Sequence, residues 1–290
     1  MKRDLLKKTF AALVAVAGMG GSFAIGAAGV ALMHAPAPAY GAPALKNIAV
    51  QAKAAILYDV HSGTVLYQKN ATMELPLASL TKLMAAQAAL AVQDPKTLVE
   101  ITADTLRPEG DSGLRQGDAY ELNDLVRLAL VASSNDAAAA AAASLGGDYL
   151  LAMNSAARQL GLTKTHFLNP TGLDVDAQNA GAYGSAYDVA RLAAAFFAAH
   201  PTLFEATMRA EVAVPQGQGA LVAAATAAPL RDIPGLIGGK TGFTDLAGGN
   251  LVAAFDLEVG RPVIAVVLGS TLEGRFSDIR MLIEAARKNL

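Results

Sequence analysis

The spacing of apolar and polar positions gives the chain strand-like ends and a helical middle. Residues 54–59 and 64–68 are short aliphatic and aromatic runs on either side of His61-Ser62-Gly63, a pattern that predicts a β-hairpin. Turn residues and Pro76 then lead into an apolar segment that reaches Val92 and stops at Asp94-Pro95. That segment predicts a buried helix with Ser79 in its first turn. From about 98 to 200 helical patterns dominate, at 121–132, 136–145, 148–160 and 186–199, with Gly-, Asp- and Asn-rich loops between them. The alanine tract after Asp136 predicts close helix packing. Strand patterns return at 211–215, 240–244, 250–257 and 263–268, and an amphipathic helix runs from about 275 to 289. The fold class expected is α+β: an antiparallel sheet assembled from both chain ends, with helices packed on it and a mostly helical insertion at about 98–200. A site is expected at the seam between sheet and helices.

Composition narrows the classes. The 290 residues suffice for a sizeable core, and a net charge of −2 gives no basic surface for nucleic acid. The absence of cysteine removes disulfides, a thiol nucleophile and Cys-ligated zinc. Four histidines without a His-Glu-x-x-His pattern argue against a His-based metal site. Lys2, Arg3, Lys7 and Lys8 precede an uncharged, mostly apolar run from 10 to 33, followed by a Pro/Ala segment. These features describe either an export signal or an N-terminal membrane anchor over residues 1–41, with a plausible cut near 39–41. On both readings residues 42–290 form the working domain on the outer side of the membrane.

Three stretches carry candidate chemistry. In Ser79-Leu80-Thr81-Lys82, residues three apart on a helix share a face, so hydroxyl and amine can meet. A serine needs a base to become a nucleophile, and a lysine is one only if burial or a nearby positive charge lowers its pKa. The helix start offers N–H groups suited to an oxyanion. Ser133-Ser134-Asn135-Asp136 lies at a break between helices and offers hydroxyls and an amide, though it equally suits a helix cap. Gly238-Gly239-Lys240-Thr241-Gly242-Phe243-Thr244 reads as a glycine-flanked strand that another backbone, such as an extended peptide, can approach. A phosphate-binding loop would need glycine at 234, where the chain has Pro234.

Taken together and in order, these segments resemble the penicillin-recognising serine DD-peptidases, specifically the low-molecular-mass D-alanyl-D-alanine carboxypeptidases. Residues 78–84 resemble the family's first box, 133–137 its second and 240–244 its third. Further likeness lies at Met153-Asn154, 160–162, 165–173, Tyr187-Asp188, Ala247-Gly248 and Arg275-Phe276. The resemblance implies a β-lactamase/DD-peptidase-like fold and removal of the terminal D-alanine from peptidoglycan stem pentapeptides through an acyl-enzyme. By resemblance, Ser79 is the nucleophile, Lys82 its base and Ser133 the proton relay to the leaving amine. Asn135 holds the substrate backbone, the N–H groups of Ser79 and Phe243 form the oxyanion hole, and Lys240, Thr241, Gly242 and Arg275 serve substrate binding. Lys240 helps to keep Lys82 neutral. Asp136, Asn169 and Asp188 read as caps and loop fasteners. No cofactor is implied, β-lactams are implied as covalent inhibitors, and contact with the membrane is confined to the N-terminal segment.

The chain departs from the family pattern at Ile237, at Thr226-Ala227-Ala228 and at Phe243. A DD-endopeptidase that cuts cross-links shares the same boxes and stands as the alternative. A class A-like β-lactamase would need a glutamate to activate water, and Glu205 and Glu211, the glutamates between Asn135 and Lys240, lie outside the expected context. A penicillin sensor that acylates without turnover is the non-enzymatic reading.

Overall fold

The computed structural model describes residues 45–110 and 112–290; the expected export signal or anchor at 1–41 lies outside the described residues. The first hairpin is β1 (Ala54–Asp59) and β2 (Val65–Lys69). The short strand β3 (Leu75–Pro76) precedes a 3-10 turn at Ala78–Leu80, which runs directly into α1 (Thr81–Val92). The middle of the chain holds β4 (Leu98–Glu100), β5 (Ala119–Glu121), α2 (Leu122–Val131), α3 (Asn135–Ala143) and α4 (Tyr149–Gln159). Next come β6 (His166–Phe167), β7 (Ala182–Gly184), α5 (Ala186–Ala199) and α6 (Pro201–Ala206). The chain then forms β8 (Glu211–Gln216), β9 (Gly219–Ala224), β10 (Leu236–Thr244), β11 (Gly248–Glu258), β12 (Arg261–Ser270) and α7 (Gly274–Asn289).

The main sheet has the order β10-β11-β12-β1-β2, antiparallel throughout, so both ends of the chain build it. Alternation within its strands sends side chains to two cores. Ile56, Val252, Ala254, Ile264, Val266 and Leu268 pack with Leu83 and Met84 of α1 and with Val189 and Phe196 of α5. Leu57, Leu251, Phe255, Val263 and Val267 pack instead with Phe276, Ile279, Leu282 and Ile283 of α7. Burial on both faces explains why 263–268 reads as an unbroken apolar run. α1 is buried along residues 81–89, because sheet and helices enclose it.

The patterned elements appear at nearly the expected positions, and the pairing confirms the α+β class. The strand expected at 240–244 extends back to Leu236, because its glycines pair with β11 despite low strand propensity. β9 was not expected: its run of small residues becomes a strand only by pairing with β8.

Candidate active site

Ser79 sits on the 3-10 turn ahead of α1, one residue after Ala78, whose φ is +48°. Ser133 has φ +61°, and for side-chain-bearing residues this left-handed conformation costs about 1–2 kcal/mol each. Close backbone contacts hold the first of these. A Cβ on Gly172 would lie 1.9 Å from the Ala78 carbonyl oxygen, and one on Gly242 would lie 3.1 Å from both Leu77 O and Ser79 N. Only glycine lets loop 169–173 and the end of β10 press on the nucleophile turn. Fully buried Asn250 fixes the approach to that turn, donating to Pro76 O at 2.9 Å and accepting from Gly269 N–H at 2.8 Å.

The Lys82 side chain is completely buried, with Nζ 2.7 Å from Ser79 Oγ, 2.7 Å from Asn135 Oδ1 and 2.8 Å from the Thr171 carbonyl oxygen. The amide orientation of Asn135 follows from its other end, where Nδ2 donates to Glu109 O at 2.6 Å. Two of the three partners of Lys82 can therefore only accept. A neutral amine gives them its two protons and keeps its lone pair for the Ser79 hydroxyl. Burial lowers the Lys82 pKa to about 7, so this neutral form is accessible. Thr171 O is presented by a loop that Asn169 fastens, with its Oδ1 accepting from the Thr171 and Gly172 N–H groups.

Lys240, also fully buried, donates to Ser133 Oγ and Thr241 O, each at 2.7 Å. Burial pushes its pKa well down, and repulsion from Lys82 and Arg275 adds to this. Like-charge repulsion is mutual, so each of these two buried amines disfavours the charged form of the other. Thr241 Oγ1 meets Thr226 Oγ1 at 2.7 Å, and the Thr226 N–H is held by Val131 O at the end of α2.

β10 is an edge strand, and its polar groups alternate sides. Gly239 N–H points outward to Thr207 Oγ1 at 2.9 Å, so two and four residues on, the N–H groups of Thr241 and Phe243 also face the open edge. The Phe243 ring is 45% exposed beside it. Arg275 is not the solvated surface cation that the start of a terminal helix suggests. It is 9% exposed, stacks over Phe276 at 4.8 Å and donates from Nη1 to Gly242 O at 2.8 Å.

The three boxes, 53 and 107 residues apart along the chain at their bonded pairs, therefore share one cleft. Thr171 and Gly172 lie in the 165–173 stretch that resembles the family, though no role was expected of either, and Asn250 was expected only as the start of a strand.

Residues 41–271 match the profile of peptidase family S11, D-alanyl-D-alanine carboxypeptidase. The chain belongs to this D-alanyl-D-alanine carboxypeptidase family. It is 33% identical to the carboxypeptidase DacB2 of Mycobacterium tuberculosis over 222 residues, 76% of this chain and 75% of the relative. DacD of Salmonella typhimurium is 32% identical over 261 residues, covering 83% of this chain but 64% of the longer DacD. Penicillin-binding protein D2 of Listeria monocytogenes, solved with bound ampicillin, superposes with a TM-score of 0.73 at 32% identity over 83% of this chain and 99% of that one. This carboxypeptidase is a serine-type hydrolase of the penicillin-binding protein class.

Proposed function

We propose that the cleft removes the terminal D-alanine of peptidoglycan stem pentapeptides, with Ser79, Lys82 and Ser133 as catalytic residues. The observation that carries this reading is the partner set of Lys82, which leaves a lone pair for the Ser79 hydroxyl. Ser79 Oγ adds to the carbonyl between the two D-alanines while its proton passes to Lys82 Nζ. The resulting oxyanion lies between the N–H groups of Ser79 and Phe243, and losing one such donor costs about 3 kcal/mol. Collapse breaks the C–N bond, and Ser133 relays a proton to the departing amine. Water then adds to the ester, its proton passing to the Lys82 amine left neutral by the relay, and Ser79 Oγ leaves with that proton to release the shortened peptide.

The substrate lies as an added strand along the β10 edge, which offers outward N–H groups at Thr241 and Phe243. Its terminal carboxylate meets the hydroxyl of Thr241, and that negative charge favours the ammonium form of Lys240 nearby. Asn135 then exchanges its Glu109 contact for the substrate backbone. β-Lactams enter the same path and stop at the acyl-enzyme, and the Listeria relative solved with bound ampicillin supports binding of this class of inhibitor. The basic, apolar N-terminal stretch supports export, with this domain on the outer face of the cytoplasmic membrane or in the periplasm.

Incubation with pentapeptide and with cross-linked wall dimers, read by mass, tests the assignment. Free D-alanine and tetrapeptide are expected from the pentapeptide, and cleavage of dimers alone would replace the carboxypeptidase with an endopeptidase. Ser79→Ala abolishes turnover and covalent labelling by a fluorescent penicillin; labelling that survives would identify another nucleophile.

A further inference from the structure

We infer that Arg275 is a positioning residue for the oxyanion hole, its guanidinium holding the Gly242 carbonyl so that the adjoining Phe243 N–H becomes a stronger donor. The inference rests on the proposed role of that N–H. In a planar trans peptide the C=O of one residue and the N–H of the next point in opposite directions. On β10 the Phe243 N–H faces the open edge, so Gly242 O faces the β11 side, where Arg275 Nη1 donates to it at 2.8 Å. A charged donor bonds about twice as strongly as a neutral one, and linked hydrogen bonds strengthen one another by about 10–30% each. Among the described residues Arg275 makes no ion pair, and its buried Nε lacks a hydrogen-bond partner. Mostly withdrawn from water, the guanidinium is committed to a single neutral carbonyl, an arrangement that stability alone does not call for. Stacking over Phe276 fixes its plane.

The test compares wild type with Arg275→Gln and Arg275→Lys, using two acyl donors. One is an acyl-D-Ala-D-Ala peptide; the other is the thioester of the same acyl-D-alanine, without a terminal carboxylate. In single turnovers the glutamine variant acylates about 10-fold more slowly with both donors, at unchanged KM, and the lysine variant recovers part of the rate. The infrared band of the 13C-labelled ester carbonyl in the penicilloyl-enzyme moves to higher wavenumber in Arg275→Gln. A loss confined to the carboxylate-bearing donor, with the band unmoved, would overturn the inference and make Arg275 a carboxylate ligand. Should the glutamine variant fail to fold, the band of the lysine variant decides in the same way. The wild-type band is also compared with that of the acid-unfolded acyl-enzyme. If the two coincide, the oxyanion-hole reading itself fails, an outcome separate from loss of the Arg275 effect alone.

Discussion

A lysine amine serves as a base only while it is neutral, and Lys82 reaches that state because it is enclosed without a carboxylate partner. An ordinary exposed lysine, with a pKa of about 10.4, would be almost wholly protonated at neutral pH. With the Lys82 pKa lowered to about 7, deprotonation spans the neutral range, so penicillin acylation rises with pH through about 7 and levels off above it. Stopped-flow labelling between pH 5 and 9 measures this, and a rate already maximal at pH 5 would refute the base assignment. Arg stays charged at every working pH, so Lys82→Arg slows acylation by about 10²–10⁴-fold across the same range. Asn135 and Thr171 hold the amine in place through acceptors alone, which reserves the Ser79 hydroxyl for the lone pair.

At the scale of elements, the nucleophile turn is wedged between loop 169–173 and the end of β10. Gly172 has φ +79° and no room for a Cβ against the Ala78 carbonyl. Gly172→Ala therefore combines left-handed strain with a backbone clash, and it either displaces the Thr171 carbonyl from Lys82 or shifts Ser79. The expected outcome is a loss of at least about 2 kcal/mol in denaturant unfolding, together with a fall in acylation. Stability and labelling both at wild-type levels would show that the loop does not brace the turn. The same logic explains the glycine-rich edge strand. Gly239 and Gly242 have main-chain atoms of β11 and the Ser79 turn where a side chain would stand, so the strand owes its form to pairing rather than to propensity.

At the scale of the whole molecule, the sheet joins β1 and β2 to strands arriving some two hundred residues later, and Asp278 secures that junction. Its carboxylate accepts from Gln51 N–H at 2.8 Å, Ala52 N–H at 2.9 Å and Ser270 Oγ at 2.7 Å, tying the entry to β1 and the end of β12 to α7. Asp278→Ala leaves buried donors unpaired and costs about 2–5 kcal/mol, which is about 4–20 °C in Tm for a chain of this size. Below the new Tm, penicillin labelling persists, because none of these bonds touches the cleft. Calorimetry with labelling at 25 °C checks both halves, and an unchanged Tm would deny the junction its role.

Apolar patterning was enough to locate the main helices and sheet strands. Half-exposed elements show a 3.6- or 2-residue repeat, while the enclosed α1 and the strand at 263–268 show as unbroken apolar runs bounded by turn residues. The α+β class followed from strands at both ends, and the Ser-x-x-Lys spacing followed from helix geometry. Single contacts do not repeat, so they left little periodic trace. Nothing local in the sequence set Thr171 O on Lys82, turned the Phe243 N–H to the open edge or drew Arg275 inward to Gly242. Those arrangements arise when distant segments meet, and enclosure by the assembled sheet and helices is what lowers the pKa of Lys82. Sequence therefore determined which groups are present and on which elements they ride, while the tertiary structure decided which is neutral, which is bonded and which faces a substrate.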